Sequence, residues 1–260
     1  MIRTLLIIAG AALVLSLATL AGAVAVGGRD MARHGWQWTF HDRDGDTVSF
    51  ERSDGTEPAE TTRTLAWTGG ESLIVEMSAD VEYVQGETAG VTITGAPGLV
   101  DRVRLEGGRL TMTGEGERHD ERIVIGRHRD GAGLWIGSDE VRVVVTAPAV
   151  NRFEMAGSGD LSIRQYDQDA LTIDLTGSGE ITAEGRTRSL TLDIPGSGDA
   201  DLESLMTTDA QVEISGSGDA RLAPTGAATI SISGSGDASL ATRPATLRQN
   251  LTGSGDVRQD

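Results

Sequence analysis

The chain has 260 residues, and 39 acidic against 22 basic side chains, every base an arginine, give it a formal net charge of −17. That surplus argues against phosphate backbones and anionic lipid surfaces as partners and leaves no case for nucleic acid. A content of 38% hydrophobic residues is too high for a disordered chain, and without cysteine it folds with no disulfide framework.

Met1 and Arg3 precede an uncharged run from Leu5 to Val26 in which Ser16 and Thr19 are the polar side chains. Its 22 residues are enough for a helix to span a bilayer, while Ala21-Gly22-Ala23 and Ala23-Val24-Ala25 read as small-residue cleavage sites. Residues 1–26 are thus a signal peptide or a retained membrane anchor, and this hydrophobic helix is the one expected contact with the membrane. Both readings export the chain to the cell envelope, periplasm or surface; retention of residues 5–26 would anchor it in the inner membrane.

Residues 27–64 read as a hairpin and linker. Trp36-Gln37-Trp38-Thr39-Phe40 and Val48-Ser49-Phe50 alternate apolar and polar residues on either side of Asp42-Arg43-Asp44-Gly45-Asp46, an Asp-Gly hairpin signal. The acidic tip is not a calcium loop, because its glycine stands fourth rather than sixth and no glutamate is twelfth. Residues 51–63 carry no large apolar side chain and read as a linker. The folded domain is placed at 65–260. Up to about residue 150 it shows short alternating strands (Leu73/Val75/Met77, Val91/Ile93, Val103/Leu105, Leu110/Met112, Ile123/Ile125, Val141/Val143/Val145), with an irregular loop from Gly114 to Gly137 that holds Trp135.

From Asn151 onward Gly-Ser-Gly-acid occurs six times, its first glycines (Gly157, Gly177, Gly196, Gly216, Gly234, Gly253) 18 to 20 residues apart. The second glycines are Gly159, Gly179, Gly198, Gly218, Gly236 and Gly255. Apolar residues lie four and two before each first glycine, as in Ile173/Leu175, Leu192/Ile194 and Val212/Ile214. They recur four and six after it, as in Leu161/Ile163 and Ala200/Leu202. Alternation turns this face and both glycines inward and the serine and acid outward, the glycines sitting where a Cβ would crowd the interior or where the bend needs glycine torsions. Length varies in one connection of each repeat: Arg164 to Ala170, Glu184 to Ser189, Glu203 to Asp209, Ala223 to Ala227 and Ala241 to Thr246. The pattern predicts an all-β protein, a parallel β-helix-like β-solenoid of stacked 18- to 20-residue coils, each of two strands, one tight corner and one loose corner. An antiparallel meander with hairpin turns shares the alternation, but it does not require identical residues at identical offsets.

These repeats, with strands such as Val212-Glu213-Ile214-Ser215 before them, resemble the bacterial putative auto-transporter adhesin head domain, the head GIN domain. The resemblance covers roughly residues 70 to 257, including Leu73 to Gln85 and Val91 to Leu110 as opening strands. It implies an exported β-solenoid of the cell envelope with an adhesin-like role; no translocator barrel is recognisable in the chain.

The outward acids Asp160, Glu180, Asp199, Asp219, Asp237 and Asp256 form a column that invites a calcium reading, as in β-rolls. The motif appears once per coil rather than on both sides, and at about 4.8 Å in water neighbouring unit charges cost under about 1 kcal/mol, so repulsion compels no cation. These acids are therefore expected to accept hydrogen bonds from neighbouring corner amides, with no metal and no cofactor. His34, His41, His119 and His128 lack metal-ligand spacing. No Gly-x-Ser-x-Gly elbow occurs, and a serine repeated six times is an odd nucleophile. No catalytic residue is assigned. A carbohydrate-cleaving β-helix enzyme would need a singular constellation and sugar platforms, yet the aromatics after residue 151 are Phe153 and Tyr166. A ligand site is better sought at the aromatic hairpin (Trp36, Trp38, Phe40, Phe50) or in the loop with Trp135. At the C-terminal end Arg248, Gln249, Arg258, Gln259 and Asp260 read as a polar cap, with end-to-end self-association still open. The leading expectation is a non-enzymatic envelope scaffold that meets an envelope or surface protein or glycan; a membrane-anchored sensing or regulatory module is the second, and the enzyme the third.

Overall fold

The computed structural model describes residues 37–41, 47–53, 60–113, 121–128, 131–137 and 141–259, with side chains in 60–113 and 141–259. The hydrophobic segment 1–26, Trp36, His34, His119, Asp260 and the acidic hairpin tip lie outside the described residues. In chain order the elements are β1 (Gln37–His41), β2 (Thr47–Ser53), β3 (Thr61–Leu65), β4 (Ser72–Glu76), β5 (Asp80–Gln85), β6 (Gly90–Gly95), the single-turn helix α1 (Pro97–Val100), β7 (Val103–Glu106), β8 (Arg109–Met112), β9 (Glu121–His128), β10 (Gly131–Gly137) and β11 (Arg142–Ala147). There follow β12 (Arg152–Met155), β13 (Leu161–Leu175), β14 (Glu180–Ile194), β15 (Asp199–Ile214), β16 (Ala220–Pro224), β17 (Ala227–Ile232), β18 (Ala238–Leu240), β19 (Thr246–Leu251) and β20 (Val257–Gln259). No helix among the described residues is long and apolar enough to cross a membrane.

Two compact units form: Met1–Glu57 with Gly116–Asp139, and Pro58–Glu115 with Glu140–Asp260. In the first, β1 and β2 make the antiparallel hairpin that the Asp-Gly signal predicts, Trp38 opposite Phe50 and Phe40 opposite Val48. Strand β2 pairs in parallel with β9, and β9 turns back on β10. The stretch read as an irregular loop is thus a second hairpin from Glu121 to Gly137, in which Ile123 and Ile125 oppose Ile136 and Leu134. Gly126, Gly131 and Gly133 dilute its alternation, which is why the sequence hides it.

The second unit is the solenoid. Its rungs pair in parallel and in register: Leu73, Phe153, Ile173, Leu192, Val212, Ile230 and Gln249 form one column across successive coils. Val81, Leu161, Ile181, Ala200, Ala220, Ala238 and Val257 form another. Parallel pairing excludes the antiparallel meander here and yields a solenoid of about five turns. Each interior column is buried until the last coil, so apolar burial along the axis stabilises the stack.

The coils differ from expectation in one respect. The supposed loose corner is itself paired: Tyr166 with Gly185 and Leu205, and Gln168 with Thr187 and Thr207, so each central coil has three paired stretches rather than two. A bulge between Ile163 and Tyr166, and its counterparts between Thr182 and Gly185 and between Leu202 and Thr207, resets the alternation. Gln165 takes the left-handed turn this needs, at φ 55°. Tyr166, Leu205, Thr187 and Thr207 consequently face inward and are buried. Their polar atoms are satisfied locally: Tyr166 donates its hydroxyl to the Ala170 carbonyl at 2.5 Å, and the Thr187 and Thr207 hydroxyls donate to Ser189 and Leu205 carbonyls at 3.2 Å.

The two ends are built differently. At the N-terminal end β4 pairs with β8 and β5 with β11, after which antiparallel neighbours β7, β6 and β3 take over, with Val100 of α1 in the core. The linker reading therefore ends earlier than expected, since Thr61–Leu65 is already a paired strand. At the other end β19 and β20 pair with β17 and β18, and Arg248, Gln249, Arg258 and Gln259 are exposed.

The register also uncovers a corner without glycine. Leu73 opposite Phe153 and Val81 opposite Leu161 align Met77-Ser78-Ala79-Asp80 with Gly157-Ser158-Gly159-Asp160. A Cβ at either glycine of the Gly157 corner would collide with the Met77 or Ala79 carbonyl oxygen. At each later corner it would collide with the carbonyl of the matching glycine one coil earlier. The requirement is therefore chiefly axial, coil against preceding coil. At the second glycines interior crowding adds to it, since a Cβ would also strike Met155 at Gly179 and Ile232 at Gly255. Torsion does not, because of the twelve glycines Gly253 alone has a positive φ, of 148°. The 77–80 corner begins the stack and tolerates side chains. Gly216→Ala should lower the unfolding free energy by about 1–3 kcal/mol or more, as overpacking does, whereas Ser217→Ala should stay within about 0.5 kcal/mol; urea unfolding of the two variants checks the contrast.

Candidate interaction surface

The Gly-Ser-Gly corner, the first place to look for a site, is exposed at its serines and at its acids apart from the half-buried Asp237. Its carboxylates act between coils. Asp199 Oδ1 accepts the Asp219 N–H at 2.8 Å, Asp219 Oδ1 that of Asp237 at 2.8 Å, and Asp237 Oδ1 that of Asp256 at 2.9 Å. The Glu180 N–H lies 3.4 Å from Asp160 Oδ1. Glu180 interrupts the ladder, since its longer side chain does not take over this role and the Asp199 N–H goes to the Gly179 carbonyl at 3.1 Å. Arg258 closes the column against Asp237 and Asp256 at 3.2 and 3.4 Å. Among the described residues no three His, Cys, Asp or Glu side chains converge as a metal cage requires. Asp160, Asp199, Asp219 and Asp237 are thus engaged as corner acceptors, one coil to the next.

A second acidic column, Glu154, Asp174, Asp193 and Glu213, runs beside it on the preceding strands. Arg152 pairs with Asp174. Asp193, between Asp174 and Glu213, has its carboxyl pushed above the ordinary value, first by burial and then by those two neighbours.

A different surface forms on the opposite, variable corner, where an open groove crosses successive coils. Its charged end holds two forked ion pairs between neighbouring rungs. Arg186 Nε and Nη2 meet the Asp167 carboxylate at 2.8 and 2.5 Å, and Arg188 Nε and Nη2 meet that of Asp169 at 2.9 and 2.5 Å. Arg186 accordingly holds the Asp167 carboxyl below its usual range. Met206, the register partner of Arg186 on the next coil, is 67% exposed. Beyond it the connection shortens from seven residues (203–209) to five (223–227), and Thr225, Thr242 and Ala223 line the floor so exposed. Asp209 bridges the shortened coil by accepting the Ala227 N–H at 2.8 Å.

Sequence reasoning did not single out this groove, although the unequal connection lengths are its signature. The aromatic positions it favoured are split: Trp38, Phe40, Phe50 and Trp135 lie on the strands of the other unit, their side chains outside the described residues. Tyr166 and Phe153 are buried in the solenoid, ring centroids 6.4 Å apart, and offer no platform to a ligand.

An in-register parallel solenoid with antiparallel strands at its N-terminal end and glycine corners is the class of protein the fold defines. The chain belongs to the family described as putative auto-transporter adhesin, head GIN domain, whose sequence profile matches residues 71–244. Among solved structures it resembles a putative adhesin from Bacteroides fragilis, with a TM-score of 0.58 and 16% identity over 79% of this chain and 100% of that one. A putative lipid binding protein from Parabacteroides distasonis (TM-score 0.46, 18% identity, 81% and 99% covered) and a putative adhesin from Parabacteroides merdae (0.45, 17%, 81% and 99%) superpose less well. No curated protein matches the chain in sequence.

Two expectations follow from the acidic columns. Asp219→Ala should cost about 0.5–1.5 kcal/mol through loss of the Asp237 amide's acceptor, Asp219→Asn should recover most of it, and millimolar calcium should leave the melting temperature of the parent unchanged. For Asp193 the sign is the reverse of a salt-bridged acid. Its raised folded-state pKa means that the folded chain binds the proton more tightly than the unfolded chain, so stability falls as pH rises through that range. Asp193→Asn should therefore raise the melting temperature at pH 7, and the gain should disappear at pH values where an ordinary carboxylate is protonated; a melting series against pH measures both.

Proposed function

We propose that the protein is an exported, non-enzymatic, adhesin-like module of the cell envelope that engages its partner through the groove on the variable corner. Family membership supports the adhesin-like role. The observation that supports the groove is that the Gly-Ser-Gly corner keeps its length in every coil, whereas the step from a seven- to a five-residue connection breaks the repeat at this surface. A recognition site on a repeat scaffold needs such a singular place. Residues 1–26 supply export, as signal or as anchor. The tyrosine hydroxyls nearest the groove are poor acid-base groups, because Tyr166 is buried and its phenol is shifted upward by that burial. A sensing role or a glycan-cleaving one lacks comparable support.

Full-length protein immobilised on beads should retain a specific envelope or surface component, and Arg186→Glu with Met206→Glu should release it while Asp237→Asn should not. Retention indifferent to the groove variant would remove the groove from the reading. Turnover of a polysaccharide that a single substitution abolishes would replace the scaffold with an enzyme. A phosphatase reporter active outside the cytoplasm, fused after residue 60, should give activity that deletion of residues 1–26 abolishes.

A further inference from the structure

We propose that the groove on the variable corner is a binding site for a neutral oligosaccharide; this rests on the adhesin-like reading and names the ligand class for it. The argument begins with charge. Asp167 and Asp169 face Arg186 and Arg188 across one rung spacing, each pair locked by two parallel hydrogen bonds. The pairs neutralise each other within the protein, and Glu203 adds a carboxylate to the same lining, so an anionic ligand finds no uncompensated cationic partner there. An anionic one is also opposed by the net charge of −17.

Both partners nonetheless keep unused hydrogen-bonding capacity. Each fork employs Nε and Nη2, which leaves the Nη1 donors free of it, and each carboxylate oxygen retains a further acceptor position. All four side chains are more than half exposed. The groove thus presents a row of acceptors beside a row of donors at a fixed separation. A ligand matched to both rows needs groups that donate and accept at once and carry no charge. Adjacent hydroxyls of a sugar ring meet that description, and backbone amides, whose donor and acceptor point in opposite directions, meet it less well.

Met206 supplies the other half of a sugar's chemistry. A pyranose has apolar C–H faces, and among the described residues of this surface the thioether is the exposed apolar group set against the donor row. It stands where an aromatic platform is missing. Past it the five-residue connection lowers the floor at Thr225, so the groove continues across coils and suits a linear chain of units. The ion pairs hold long side chains in one geometry before any ligand arrives, which lessens the ordering cost of binding.

The test is calorimetric titration of the full chain with a panel of neutral pentasaccharides (gluco-, manno- and galacto-series) and with uronic acid oligomers of equal length. At least one neutral member should bind saturably. Arg186→Ala and Met206→Ala should each weaken it about tenfold or more, Arg186→Lys should not restore it because lysine lacks the fork, and Asp237→Asn at the opposite corner should leave it unchanged. The groove positions are exposed, and an unchanged melting temperature verifies that each variant is folded. Binding confined to uronic acid oligomers, binding insensitive to both groove substitutions, or no binding across the neutral panel overturns the proposal. If beads carrying the protein still capture a partner that is protease-sensitive and resists deglycosylation, the adhesin-like reading stands and the sugar assignment falls; if capture fails as well, both fall.

Discussion

The close approach of one coil's backbone to the next at the Gly-x-Gly corner is the constraint on which the remainder of the solenoid depends. Wherever a corner stacks on another, a Cβ at the matching glycine would occupy the carbonyl oxygen of the preceding coil. Removing it lets serine amides reach those carbonyls: Ser197 to Gly177 at 3.2 Å, Ser217 to Gly196 at 3.1 Å, Ser235 to Gly216 at 3.0 Å. The hydrogen-bond ladder thus continues around a bend, where a chain of ordinary residues would lose it. With the corner held in register, the apolar columns on the strands either side of it stack like on like. Isoleucine, leucine and valine then fill a narrow interior that no single coil could close.

The same constraint orders the surface. In-register stacking turns any residue repeated in the sequence into a column in space, so serine, aspartate and the second acidic set each become rows along the axis. Rows of this kind bind their own scaffold: the aspartates accept amides from the coil above, and the closing arginine Arg258 meets two of them. A repeated surface has no privileged position. Recognition requires a break in the repeat, and the corner opposite the glycines is where the chain permits one, because connections there differ in length without disturbing the stack.

Much of this was legible before any coordinates. Period, parity and the fixed offsets of Ile173, Leu192 and Val212 already indicate parallel coils in register. The lengths of the five connections located the variable corner. What stayed hidden had physical causes. Tyr166, Thr187 and Thr207 look like loop residues because they are polar or amphipathic, yet the bulge after Ile163 turns them inward and their hydroxyls find carbonyls within two to four residues. The corner at Met77-Ser78-Ala79-Asp80 is hidden in the sequence because its glycines are replaced, and the register of β4 and β5 against β12 and β13 reveals it. Alternation alone points the repeated glycines to interior crowding or to glycine torsions; the clash with the preceding coil's carbonyls shows up once the coils are stacked. Met206 gave no signal, since the bulge after Leu202 turns Leu205 and Thr207 inward and so points Met206 outward.

Amide hydrogen exchange at the corner serines tests the central claim most directly. Ser197, Ser217 and Ser235 have exposed side chains, and a solvent-facing turn would let their amides exchange within the rates of open loops. Axial bonding to the preceding coil predicts protection comparable to that of the adjoining strand amides of Val212 and Ile230. Exchange of these serines at the unprotected rate, with the strands still protected, would contradict the account and return the corner to an ordinary turn.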